Sequence, residues 1–336
     1  MKNKRLPRLH LPDILDLRKR KRRIVVEHVS TATMPVPIVI PNFHLFKHFH
    51  FACYRISIMS AAALERPKLL LLGDSLTQTS MEGWGGALAH QYQRRADVLN
   101  RGLSGYNTRW YIEYAQESGI WYEPGKIALT TIFFGANDAS LETENPHHHV
   151  PLEEYQENLK KLVAKTQESF PESRILFITP PPVHHEQRLK FQKERYGDKA
   201  TGVLERTLES AGKYAEACKA VASELELPVL DLYTIMKDAV DDFGIFFYDG
   251  LHFNKDGHEI VLKSLLEAIE SNFPSLAVTP DPLTGQPNNS GSKCEGIPNS
   301  GPYHDHIDHN KPKEPFLSTE VEQPGAKRQK PENDSA

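Results

Sequence analysis

Between residues 66 and 274 the chain alternates short apolar runs with longer stretches whose apolar residues return every three or four positions. Leu69–Leu72 form an unbroken run between Lys68 and Gly73, which predicts a strand over 68–72 buried on both faces. "ADVLN" (96–100), "KIALTTIFF" (126–134), "RILFITP" (174–180) and "LPVLDL" (227–232) predict four more strands. Helical spacing covers 84–94, 108–118, 152–167, 201–224 and 255–271, the last with Asn254 as its N-cap. This order predicts an α/β fold with a central parallel sheet and helices on both faces. In such sheets function collects at the carboxyl ends of the strands.

The flanks read differently. Residues 1–65 form a basic extension: residues 1–60 hold 12 of the 40 Lys and Arg but three of the 44 Asp and Glu. "RKRKRR" (18–23) is a solvated charge run by default, with a nuclear-localisation or nucleic-acid reading as the alternative; the basic, acid-poor stretch after it leaves a mitochondrial transit peptide, or an upstream start codon before Met59, as further readings. Residues 275–336 are rich in Pro, Gly, Ser and Asn, with few groups to bury, and are expected to form a disordered polar tail. Its "YHDHIDHN" (303–310) is a polar stretch before it is a metal site. Residues 66–274 are therefore the expected folded domain. That domain is acidic, so no nucleic-acid partner is expected. No apolar run is long enough to span a membrane. Three scattered cysteines, Cys53, Cys218 and Cys294, give no disulfide framework and favour a reducing, cytoplasmic location.

Four polar clusters fall at strand ends or before a helix: "GDSLT" (73–77), "NRGLSGYNT" (100–108), "FGANDA" (134–139) and "DGLHFN" (249–254). Singly each has a plain reading. Ser75 is a turn or capping serine, Gly105 serves a turn, Asn137 and Asp138 cap the next segment, and Asp249-Gly250 is a turn dipeptide. On one rim they form a set. Ser75 is a nucleophile if His252 takes its proton, and Asp249 can hold that imidazole. The backbone N–H groups of Ser75 and Gly105 and the Asn137 amide can meet an oxyanion. Asp74 reads as a helix-start residue. Asp256 and His258 are a weaker rival pair, with His258 expected at the surface. Trp84, Tyr106 and Trp110 either line a pocket or pack the core. His147, His148 and His149 read as a loop near the rim, and His184 and His185 stay ambiguous. A G-x-S-x-G nucleophile elbow is absent.

The same clusters resemble the SGNH, or GDSL, hydrolase superfamily. Ser75, Gly105, Asn137 and His252 match its four signature residues and Asp249 its aspartate. The strings "RGLSGYNTRW", "TIFFGANDAS", "HVPLEEYQENLK" and "DGLHFNKDG" resemble its isoamyl acetate-hydrolysing esterase branch. The resemblance covers about residues 66–272. It implies a flavodoxin-like three-layer α/β/α sandwich and a serine esterase with neither metal nor cofactor. The implied substrates are small carboxylic esters of the acetate type. Thioester cleavage, acyl transfer and carbohydrate deacetylation use the same five residues and stay open, as does a non-catalytic scaffold with interacting tails. The oligomeric state and the role of the extensions are open too.

Overall fold

The computed structural model describes residues 66–200 and 202–278. The basic extension with its 18–23 run, and the tail with its 303–310 histidines, lie outside the described residues. So do Cys53, Met59 and Cys294.

Five parallel strands form one sheet in the order β2-β1-β3-β4-β5. They are β1 (Lys68–Gly73), β2 (Asp97–Gly102), β3 (Ile127–Phe133), β4 (Arg174–Ile178) and β5 (Val229–Leu230). Strand β1 is internal, paired with β2 on one side and β3 on the other. Leu69 to Leu72 are all fully buried. Their side chains alternate: Leu69 and Leu71 enter one apolar cluster, Leu70 and Leu72 the other. A continuous leucine run is what a strand covered on both faces requires. Each leucine so buried contributes about 2 kcal/mol.

The first cluster is closed by α2 (Trp84–Gln91), α7 (Leu232–Ala239) and α8 (Lys255–Asn272), through Trp84, Leu88, Met236, Val261, Leu265 and Ile269. The second is closed by α3 (Thr108–Glu117), α4 (Leu152–Ser169) and α6 (Leu208–Glu224), through Tyr111, Tyr155, Leu159, Leu162 and Val221. The result is the three-layer α/β/α sandwich with a parallel sheet that the pattern predicts. The chain leaves β1 toward β2 and then crosses to β3 on the far side. The strand order thus reverses at the carboxyl ends of β1 and β3, where a crevice opens.

Two expected elements shorten, and one helix was not expected. The last strand shrinks from 227–232 to two residues, because Asp231 caps a helix: its side chain accepts from Thr234 N–H at 3.2 Å and starts α7. The expected 201–224 helix begins at Leu208, capped by Thr207, so residues 202–207 form a connection. A helix missed altogether, α5 (His185–Tyr196), follows the proline run; Gln192 is its one buried residue, so it carries no apolar stripe to read. After α8, Leu276 is buried, and the Tyr92 hydroxyl donates to its carbonyl at 2.7 Å. Among the described residues no helix is long and apolar enough to cross a membrane.

Candidate active site

Strand β1 delivers Ser75 through a turn held from both sides. A Cβ on Gly73 would lie 2.0 Å from Thr77 Oγ1 and 2.8 Å from the Phe133 carbonyl oxygen. Glycine is what lets the turn fold back onto the sheet. Asp74 is the N-cap of the single-turn helix α1 (Ser75–Gln78), its Oδ1 accepting from Leu76 N–H at 2.9 Å. Ser75 therefore holds the first helical position, whose N–H has no acceptor inside the helix. Asn100 of β2 braces the turn, its Nδ2 donating to the Thr77 carbonyl at 2.6 Å.

The loop before α8 brings the partners. Ser75 Oγ lies 2.9 Å from His252 Nε2, and His252 Nδ1 lies 2.8 Å from Asp249 Oδ2. Asp249 Oδ1 accepts from the N–H groups of Leu251 and His252 at 3.0 and 2.7 Å. This carboxylate accepts from the ring and from the backbone beneath it, so it fixes both. With Nδ1–H given to the carboxylate, Nε2 keeps the lone pair that faces the serine. Burial pushes the Asp249 carboxyl up; the His252 ring and backbone and the Arg188 guanidinium outweigh it and leave it below the ordinary carboxylate range. The Tyr248 ring stacks on His252 at 5.8 Å and 17°.

Gly105 and Asn137 complete the set. Gly105 has φ +80° in a turn closed by Tyr106 N–H to the Leu103 carbonyl, a conformation that strains an L side chain. Asn137 follows β3. Its Oδ1 accepts from Arg206 Nη2 at 2.9 Å and its Nδ2 donates to the Tyr106 carbonyl at 2.9 Å. Those two contacts fix which end of the amide is nitrogen, and they leave a second N–H for the crevice. Ser75, Gly105, Asn137, Asp249 and His252 all line one cavity of about 350 Å³. A larger cavity of about 610 Å³, between α3 and α4, holds none of them. Chemistry rather than size selects the smaller one.

Other candidates separate. Trp84 is core, its indole N–H donating to the Leu76 carbonyl at 3.1 Å. Trp110 packs on His147 and His148, and of that histidine trio His148 reaches the cavity wall. His258 is not the surface residue expected: it is half-buried, its Nδ1 accepting from Trp84 N–H at 3.4 Å, away from Ser75. His184 caps α5, accepting from Gln187 N–H at 3.3 Å. Asp138 is buried and accepts from the Thr108 N–H and hydroxyl, tying α3 to the end of β3. No three His, Cys, Asp or Glu among the described residues are placed to hold a metal ion.

Sequence reading missed a charged group behind the site. Arg188 Nη1 donates to Asp249 Oδ2 at 2.7 Å and its Nη2 to Glu205 Oε1 at 3.0 Å. Arg206 Nη1 donates to that same Glu205 oxygen at 2.6 Å, and its Nε to the Ala136 carbonyl at 2.9 Å. Arg188 stands in a helix too polar to show a pattern, and Glu205 and Arg206 fall inside the segment read as helix. No spacing marks them.

The comparisons decide the family. The GDSL-like Lipase/Acylhydrolase family matches residues 71–260. The chain belongs to that family. A GDSL esterase/lipase of Arabidopsis thaliana is 36% identical over 254 residues, 75% of this chain and 98% of the relative. The isoamyl acetate-hydrolyzing esterase 1 homolog of Homo sapiens is 43% identical over 225 residues, 64% of this chain and 86% of the relative. A solved lipase/acylhydrolase from Enterococcus faecalis aligns at 24% identity and TM-score 0.47, over 61% of this chain and 96% of its own. This GDSL hydrolase is a carboxylic ester hydrolase, as the clusters at the strand ends predict.

Proposed function

We propose that the chain hydrolyses small carboxylic esters of the acetate type through an acyl-enzyme on Ser75. The observation that carries this is the run of contacts from Ser75 Oγ to His252 at 2.9 Å and from His252 to Asp249 at 2.8 Å. As Ser75 Oγ attacks the ester carbonyl, His252 Nε2 takes its proton and Asp249 stabilises the imidazolium. The carbonyl oxygen becomes an oxyanion held by the N–H groups of Ser75 and Gly105 and the Asn137 amide. His252 returns the proton to the departing alcohol. Water then attacks the acyl-serine by the same route, releasing the acid and restoring the hydroxyl. The name of the Homo sapiens relative supports the acetate reading. The cytosol is the compartment we propose, on the cysteine usage.

A second reading has support from the cavity wall, where Asn145, His148, Gln192 and Arg195 make it strongly polar. A polar alcohol such as an acetylated sugar suits such a wall better than an alkyl one. The test is turnover of p-nitrophenyl esters from C2 to C12, beside an acetylated xylooligosaccharide, by wild type and Ser75→Ala. The expected result is short-chain turnover abolished in the variant. Turnover surviving in folded Ser75→Ala would overturn the acyl-enzyme. Sugar deacetylation well above p-nitrophenyl acetate turnover would favour the second reading.

A further inference from the structure

Asp249 and Asn137 serve opposite ends of the reaction, one behind the base and one at the oxyanion. They stand on different loops, after β5 and after β3, and a single carboxylate connects them. Glu205 Oε1 accepts from Arg188 Nη2 at 3.0 Å and from Arg206 Nη1 at 2.6 Å. Arg188 passes on to Asp249 Oδ2 at 2.7 Å, and Arg206 to Asn137 Oδ1 at 2.9 Å. We propose that Glu205 is a positioning residue that, through Arg188 and Arg206, holds the Asn137 amide and the Asp249 carboxylate in one geometry and sets the pH range in which His252 works. The proposal rests on the catalytic roles given above.

Charge and burial favour this role over plain surface pairing. The Arg206 and Asp249 side chains are 6% and 2% exposed, and those of Arg188 and Glu205 are 15% and 23%. Two guanidiniums facing one site repel unless a carboxylate stands between them, and Glu205 is placed there. Burial pushes the Glu205 carboxyl up, but Arg206 and Arg188 outweigh it and leave it below the ordinary range, so the bridge stays ionised. Breaking one member of such a network strands the others in a low dielectric. At the oxyanion end Arg206 admits one orientation of the Asn137 amide. At the other end Arg188 and His252 share Asp249 Oδ2. A fixed cation there draws off part of the carboxylate field that would otherwise favour the imidazolium. The titratable and charged groups around His252 are Asp249 and Tyr248 on its own loop, Ser75 from α1, Arg188, Arg195 and Tyr196 from α5 and His148 across the cavity, with Glu205 and Arg206 behind Arg188. His184 N–H, at the start of α5, donates to the Gly250 carbonyl at 2.9 Å, which ties that helix to the loop.

The test reads both ends on the full chain. At the oxyanion end it is a cycle of Glu205→Gln, Asn137→Ala and the double variant. Glu205→Gln is expected to lower kcat by about 10- to 100-fold with little change in KM. Asn137→Ala, costing about 10²–10³ in wild type, is expected to cost less than about 10-fold in the Gln background. At the base end Arg188→Met is expected to move the acid limb of the kcat/KM profile up by about one pH unit, and Arg188→Lys, which keeps the cation, to leave it in place. Factors that multiply, or an acid limb that stays put in Arg188→Met, would overturn the bridge. Thermal melts accompany each variant. If Glu205→Gln fails to fold, Glu205→Asp, which is too short to reach both arginines, takes its place in the same cycle with the same expectation. Loss of all activity in wild type, or full activity in Ser75→Ala, would instead indict the catalytic roles, and the wild-type and Ser75→Ala controls separate that case.

Discussion

Asp74 directly precedes Ser75 and is buried. Burial pushes its carboxyl up to about 7, against the Leu76 N–H that it caps, and nearby Asp138 adds to the rise. A carboxyl whose folded pKa is raised favours the folded state most while protonated. Its contribution is complete below about pH 4 and is lost as pH climbs through about 7. Asn caps a helix as well as Asp and does not ionise. Asp74→Asn should therefore gain Tm relative to wild type from about pH 4 to about pH 7 and level off above that, in melts at matched ionic strength. Asn137→Ala should keep its fold and lose about 10²–10³ in rate, equivalent to about 3–4 kcal/mol, in p-nitrophenyl acetate assays. Ser75, Gly105, Asn137, Asp249 and His252, which the structure gathers around one cavity, were legible because their types and order are rare together. Arg188, Glu205 and Arg206 were not: a charged side chain writes the same letter whether it faces water or a buried partner, and which one it faces is decided by chain segments far apart in sequence.

The elements follow the same logic. Strand β1 was plain because four leucines in a row have one sensible home, between two helical layers. Truncating one should leave a cavity: Leu71→Ala should cost about 2–5 kcal/mol in urea unfolding, with the m-value unchanged. Helix α8 was equally plain, its Asn254 side chain accepting from Gly257 N–H at 3.1 Å, and Asn254→Ala should cost about 1 kcal/mol in the same assay. Helices α5 and α7 were hidden for opposite reasons. The first buries too little to carry a period, and the second follows β5 so closely that Asp231 reads as strand until its capping bond is seen. Boundaries depend on such single contacts, whereas the sheet depends on summed burial.

At the scale of the molecule, every residue proposed to act on the ester stands within the described residues, with residues 1–65 and 279–336 on either side. A chain cut to residues 66–278 should hydrolyse p-nitrophenyl acetate as fast as the full chain, in a direct comparison of kcat/KM; a large loss would give the extensions a catalytic part. The strand order explains why so few loops suffice, since reversal at β1 and β3 sets Ser75 and Asn137 side by side. Ser75 and His252, though, stand 177 positions apart along the chain, with Asp249 and His252 together near the end of the described residues. During synthesis Ser75 is made early and His252 late. Until the last loop and α8 settle onto the sheet, Ser75 is an ordinary alcohol. The Ser75–His252 contact can therefore form only after three quarters of the chain has been made, and it closes with the fold.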